Sequence, residues 1–186
     1  MDKKYFTELT IEETPFANNL GAAIIDIFAP KSVVDVGCAT GLYLKPLIEN
    51  NIAVLGIDSS GVAVENAVIP LKYLVRVNIL DLSLKLQRNM YDLCICLEVL
   101  EHIEAQYSLK VIKNLVQLSD TIIFSAAQPM QGGEGHVNCR PRNYWESLFV
   151  SLNFYRDIEK EILLKERILK GVYMGWFINN FMIFIK

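Results

Sequence analysis

The chain has 186 residues, 52% of them apolar, with 18 basic against 21 acidic side chains and a formal net charge of −3. That length suits one domain, residues 1–186, with a sizeable core, and its apolar clusters, interrupted by Asp26, Asp92 and Glu98, fall short of the roughly 20 residues of a membrane span. No Lys/Arg block offers a nucleic-acid footprint, the N-terminus lacks the apolar core of a signal peptide, and the four cysteines form no CxxC pair, so a cytoplasmic protein with Cys38, Cys94, Cys96 and Cys139 as small core residues is expected.

Residues 1–14 are polar and weakly patterned and read as a mobile lid. From Pro15 the run PFANNLGAAIIDIF puts Phe16, Leu20, Ile24, Ile27 and Phe28 on one helical face, and Pro30 ends it. The segment VVDVGCATG, residues 33–41, then sets β-branched residues around Asp35 ahead of a turn bearing Gly37 and Gly41. Leu42, Leu44, Leu47 and Ile48 follow at helical spacing. A buried strand, a tight turn and a helix beginning near Gly41 are predicted. Small residues there let a ligand approach the backbone, and the N–H groups of a helix start favour electron-rich atoms.

The segment is neither a phosphate loop, since no GxxxxGK[ST] occurs, nor a dinucleotide fingerprint. Counted from Gly37, the first, third and sixth positions hold Gly37, Ala39 and Leu42. The run IAVLGIDSS is a second strand ending at Asp58, ahead of a helix that Asp58, Ser59 or Ser60 could cap. LKYLVRVNILDLSL gives a short third strand and a loop with Asp81 and Leu82. YDLCICLEVLEHI is a fourth strand running into Leu97, Glu98, Glu101 and His102. A helix over 105–118, a fifth strand in DTIIFSAAQP and a loop with Gly132, Gly133 and Gly135 come next. A helix starting near Pro141, a short strand at 154–157, a helix in IEKEILLKERILK whose interleaved charges read as a solvated face, and a long β-rich run in WFINNFMIFIK close the chain.

Asp35-x-Gly37-x-Ala39-x-Gly41 resembles motif I (DxGxGxG) of the class I S-adenosylmethionine-dependent methyltransferases, with Ala39 in place of the middle glycine. Glu98-x-x-Glu101-His102 resembles the post-strand-4 motif of that family, in the form found in ubiquinone-type O-methyltransferases and small-RNA 2′-O-methyltransferases. The resemblance implies an α/β fold: a doubly wound, Rossmann-like three-layer sandwich on a mostly parallel seven-stranded sheet with the last strand antiparallel. It implies S-adenosylmethionine as cofactor and S-adenosylhomocysteine as product. Asp35 would orient the turn, and Gly37, Cys38, Ala39 and Gly41 would let the backbone approach the cofactor. Asp58, with Ser59 beside it, would hold the ribose hydroxyls, Asp81 and the Leu82 N–H the adenine, and Leu97 and Glu98 the amino-acid end. In an open parallel sheet these loops meet in one crevice where strand order reverses.

The acceptor atom is expected to be an oxygen or nitrogen of a small metabolite, and a hydroxyl or phenol acceptor needs a base, a metal, or both. The chain has two histidines. His136, in a glycine-rich loop, is the first candidate base; Glu101 and His102 are the further candidate catalytic residues, with a structural reading of the Glu-His pair alongside. A divalent metal on Glu98, Glu101, His102 and His136 is the rival to metal-free catalysis. Tyr5, Phe6, Tyr43, Tyr107, Met130, Tyr144 and Trp145 could line an acceptor pocket or simply pack. The expected partner is a small-molecule acceptor, with nucleic acid disfavoured, no membrane, and a monomer or homodimer. Three alternatives stand: an RNA 2′-O-methyltransferase, a non-catalytic cofactor-binding or partner module, and, weakest, a nicotinamide oxidoreductase.

Overall fold

The β-branched and apolar runs assemble as one sheet in the computed structural model, which describes residues 3–84, 90–169 and 175–186. Its strands are β1 (Ser32–Val36), β2 (Ala53–Asp58), β3 (Leu74–Arg76), β4 (Leu93–Leu97), β5 (Thr121–Ser125), β6 (Tyr155–Arg156) and β7 (Met182–Ile185). They lie in the order β3-β2-β1-β4-β5-β7-β6. β1 to β5 run parallel, and β7 is antiparallel to both β5 and β6. The order reverses between β1 and β4, whose neighbouring carboxyl ends open the crevice of a doubly wound sheet.

Alternation along the strands divides the core. Val34, Val36, Cys94, Cys96, Ile122 and Phe124 pack one face, under α4 (Ser108–Leu118) and α5 (Arg142–Val150). Val33, Leu93, Ile95, Leu97 and Ile123 pack the other, under α1 (Lys3–Phe28) and α6 (Ile158–Ile168). Three shorter helices, α2 (Lys45–Glu49), α3 (Gly61–Glu65) and α7 (Gly175–Asn180), complete the layers. Cys38, Cys94 and Cys96 are buried as expected of core thiols, whereas Cys139 is half-buried in a loop.

The structure corrects four local expectations. Residues 3–14 are helical and continuous with the rest of α1, which carries Pro15 within it. The Thr14 hydroxyl donates to the Thr10 carbonyl at 2.6 Å, so a second local bond supports the turn before the proline. The helix expected near Gly41 is only a 3-10 turn, Leu42–Leu44, followed by the five-residue α2 with Pro46 in its first turn. The β-rich C-terminal run is half helix: α7 precedes β7, and Phe181 turns between them with its side chain buried. The supposed solvated face of α6 is inverted at its centre. Glu161 is 4% exposed and meets Arg142, Arg156 and Lys165, while Ile162 is 53% exposed. Burial alone would raise the Glu161 carboxyl; hydrogen bonds from Lys165, Arg156 and Arg142 outweigh it and hold the group below the usual carboxylate range.

Candidate functional site

The turn after β1 is built by backbone geometry. Gly37 has φ +82°, Ala39 +47° and Gly41 +79°, the left-handed region that disfavours larger residues. A Cβ on Gly37 would collide with Val99, so the turn can lie against the loop after β4 only with glycine there. Gly41 answers a different need, because a Cβ there would strike Ile69 in the core; it does not line the crevice.

The N–H groups expected to meet a ligand are largely spent within the protein. Those of Gly37 and Cys38 donate to the Ile57 carbonyl at 2.7 and 3.2 Å, and that of Gly41 to the Cys38 carbonyl at 2.8 Å. The Ala39 N–H donates to Asp58 Oδ2 at 2.8 Å. The turn therefore contributes shape and close approach more than free donors.

Asp58, the last residue of β2, also accepts from the Ser60 N–H at 2.7 Å through Oδ1. Ser60 takes the cap role, accepting from the Ala63 N–H at 3.1 Å. Each Asp58 oxygen keeps a lone-pair site, and the side chain lines the crevice. Asp35 lies behind the wall, 2% exposed, with Oδ2 unpartnered among the described residues. Burial, reinforced by the Asp58 charge, pushes its carboxyl up to about 8.

These elements surround a cavity of about 1070 Å³, larger than a typical single-ligand pocket of roughly 300–1,000 Å³. At the β2–β3 end its wall is apolar, with Ile57, Ala63, Val77, Ile79 and Leu80. Asp81 is exposed and off the cavity wall, and the Leu82 side chain is in the core, because the chain turns at Asn78 and enters a 3-10 segment from Ile79. Asn78 uses its side-chain oxygen on the Leu80 N–H at 2.9 Å and its carbonyl on the Asp81 N–H at 2.9 Å.

At the β4 end, Leu97 and Glu98 line the cavity as expected, and Glu98 has φ +53°, a strained conformation for a residue with a side chain. Its N–H donates to the Ser125 carbonyl and hydroxyl, each at 3.1 Å. Its carboxylate accepts from Asn180 at 3.2 and 3.3 Å and from Gln131 at 3.2 Å. Sequence reasoning missed Asn180, which has no motif signal; it ties the end of α7 to the loop after β5.

That loop carries the second histidine into place. The Val137 and Asn138 N–H groups both donate to the Glu101 carbonyl, at 2.8 and 3.0 Å. The buried Asn138 side chain donates to the Leu100 carbonyl at 3.2 Å and the Ser108 hydroxyl at 3.0 Å. The His102 and His136 rings consequently meet edge to face, centroids 4.8 Å apart. Nδ1 of His102 lies 3.3 Å from the Gly135 carbonyl, and Nδ1 of His136 lies 3.2 Å from the Gln131 carbonyl. A carbonyl only accepts, so each Nδ1 carries a proton, and a ring in that tautomer holds its lone pair on Nε2. Cys139 Sγ sits 3.6 Å from the same His136 nitrogen.

Glu101 completes the group. It is fully buried, and among the described residues its carboxylate oxygens make no hydrogen bond of normal geometry, with the backbone of Glu101 and Ala127 and the Glu98 carboxyl as their polar neighbours. Burial, then the neighbouring Glu98 charge, pushes it up to about 8. Burial, then the His136 charge, holds His102 below its ordinary value, favouring the neutral ring. Donor atoms of Glu101, His102 and His136 all lie within 4.8 Å of one another. Glu98 stands outside this trio, so the four-ligand metal set is assembled only in part.

Of the aromatic candidates, Tyr43 and Tyr107 line the cavity, Trp145 and Tyr144 pack in or against the core, and Met130 points to solvent. The Tyr5 and Phe6 side chains lie outside the described residues. Among the described residues no helix is long and apolar enough to cross a membrane.

Residues 34–119 match the family model for a methyltransferase domain. The chain is 38% identical over 88 residues to a ubiquinone biosynthesis O-methyltransferase of Rickettsia typhi, covering 46% of this chain and 35% of that protein. It is 40% identical over 75 residues to the protein of the same name in Rickettsia felis, covering 39% and 31%. The match thus spans about a third of the length of these relatives. In fold the chain is similar to the plantazolicin methyltransferase BpumL, solved with S-adenosylhomocysteine, at TM-score 0.67 and 17% identity over 98% of this chain and 89% of that one. It is likewise similar to the magnesium protoporphyrin IX methyltransferase of Synechocystis PCC 6803, at TM-score 0.63 and 19% identity over 78% and 75%. The segment that matches the methyltransferase-domain model, residues 34–119, forms the heart of this sheet and crevice.

Proposed function

We propose that the protein transfers a methyl group from S-adenosylmethionine to an oxygen of a small, uncharged acceptor. The observation that carries this is the juxtaposition, around one cavity, of a cofactor-shaped wall with a base cluster, Glu101, His102 and His136. The wall fits the cofactor chemically. Asp58 offers carboxylate lone pairs suited to a vicinal diol, and the apolar residues between Ile57 and Leu80 suit a purine. The bound cofactor supplies a methyl group on a sulfonium, open to in-line attack.

The chain's own part is to hold and deprotonate the acceptor. Backbone carbonyls fix both Nδ1 protons, so the Nε2 lone pairs serve as proton acceptors. We assign His136 as the base, with His102 edge to face against it and Glu101 beside the pair to orient it. Ser59, beside Asp58, is assigned to the ribose end and Leu97 to the wall beneath the amino-acid end.

Six carboxylates (Glu13, Asp58, Glu98, Glu101, Glu104 and Glu134) and, among the described residues, no Lys or Arg line the cavity. That charge disfavours phosphates and so counts against an RNA acceptor. The open volume beside Glu101 and Tyr107 counts against a non-catalytic module with a sealed pocket. A second reading has its own observation: the Glu101, His102 and His136 donors are close enough to hold a divalent cation, which would lower the pKa of an acceptor hydroxyl.

Methyl transfer from labelled cofactor to a panel of phenols and catechols tests the proposal, with His136→Ala and with chelator. The expected result is turnover of a neutral phenolic acceptor, reduced roughly a hundredfold or more in His136→Ala. Insensitivity to chelator favours the histidine base; activity restored only by added divalent metal favours the second reading. Full activity in His136→Ala would overturn the assignment of the base.

A further inference from the structure

The helix that replaces the expected lid brings Glu13 into the cavity wall. Phe16 fixes its approach: fully buried, it stands edge-on to Tyr43 at 5.8 Å between ring centroids and stacks on Phe181 at 6.3 Å. One turn of α1 away from that anchor, Glu13 accepts a hydrogen bond from the Tyr43 hydroxyl at 2.6 Å. Tyr43 belongs to the 3-10 turn directly after motif I, so α1 is tied to the cofactor wall itself.

Glu13 belongs to the β4 end of the cavity. Of the carboxylates that line the cavity, Glu98 is the one whose charge acts on it, whereas Asp58 sits at the end of β2. Burial raises the Glu13 carboxyl above the usual range; the Tyr43 hydroxyl pulls it down, and the Glu12 and Glu98 charges push it up again. Glu13 and Glu98 thus share one side of a cavity whose described wall carries no Lys or Arg: Phe16, one turn from Glu13, stacks on Phe181, and Asn180 beside Phe181 donates to Glu98. A cation between them would turn that repulsion into attraction on both sides.

We propose that Glu13, held by Tyr43, receives the α-ammonium of the cofactor's amino-acid end, with Glu98 on the other side. The inference rests on the methyltransferase reading above and adds to it a cofactor contact from the N-terminal helix. Asn180 and Gln131 hold Glu98 in place for that pairing. Glu13 then acts as the cofactor's anchor at one end and Asp58 at the other.

Calorimetric titration with two ligands separates this role from the rest of the site. S-adenosylhomocysteine carries the ammonium; 5′-methylthioadenosine keeps the nucleoside and the sulfur and lacks the amino-acid end. Glu13→Gln is expected to weaken S-adenosylhomocysteine about tenfold or more, the loss of a charged hydrogen bond, with 5′-methylthioadenosine unchanged within about twofold. Tyr43→Phe should move the same way by a smaller factor, and the exposed neighbour Glu12→Gln should move neither ligand. Unchanged S-adenosylhomocysteine affinity in Glu13→Gln, or equal loss of both ligands, would overturn the assignment while leaving the cofactor reading intact. A wild-type protein that binds neither ligand would overturn both.

Discussion

Replacing Glu101 by Gln should stabilise the fold while removing the activity. The native carboxyl keeps its proton up to about pH 8, whereas in the unfolded chain it loses it near 4.5. Across that window the native state binds more protons than the unfolded state, so stability falls as pH rises. At about 1.4 kcal/mol per pKa unit, the interval from 4.5 to pH 7 weighs roughly 3 kcal/mol against the fold, and water entering the cavity reduces this to about 1–2 kcal/mol. Glutamine keeps the side chain's shape without the charge, and its amide can donate toward Glu98. In urea unfolding, the variant and wild type should be equally stable near pH 5 and should differ by about 1–2 kcal/mol at pH 7 and above. Methyl transfer should fall roughly a hundredfold or more in parallel. A variant less stable than wild type across the whole range would refute the reasoning, because it would mean that Glu101 has partners that make its charge favourable.

Further predictions concern the turn and the buried ion cluster. Gly37→Ala places a Cβ against Val99 at a positive φ and should cost about 2 kcal/mol or more in thermal or urea unfolding, with loss of cofactor binding; a wild-type midpoint would contradict it. Glu161→Ala strands Arg142, Arg156 and Lys165 and should cost about 3 kcal/mol at pH 7, where a loss below about 1 kcal/mol would argue against the cluster. Because the Glu161 carboxyl sits below its ordinary value, its contribution is present above the unfolded pKa and is lost as pH falls. The difference between wild type and Glu161→Ala should therefore shrink in strongly acidic buffer.

The parts of the site legible in the sequence were those that the strands themselves fix. β1, β2 and β4 each end in a residue that must emerge at the crevice, so Gly37, Asp58 and Glu98 fall where strand periodicity and motif spacing put them. Residues whose position depends on how loops pack were not legible. Asp81 is exposed and off the cavity wall, in the bend that Asn78 closes with its bonds to the Leu80 and Asp81 N–H groups. Glu13 was hidden because Pro15 suggested a helix start where the helix in fact continues. Asn138 and Asn180 carry no signal at all; each matters through contacts between segments far apart in sequence, with partners such as Leu100 and Glu98. The α6 charges misled for a related reason, since only the packing of Arg142 and Arg156 from other elements makes a buried Glu161 tolerable.

The most direct test of the cofactor site is a calorimetric titration of S-adenosylhomocysteine into the wild-type protein and Asp58→Asn, the latter keeping the side chain's shape and one oxygen to accept from the Ala39 or the Ser60 N–H. The account predicts one saturable site in the wild type and an affinity lower by about tenfold or more in the variant, the cost of losing a charged partner for the ribose hydroxyls. Equal affinity in the two proteins would contradict the ribose assignment, and no binding by the wild type would contradict the account of the cavity as a cofactor site.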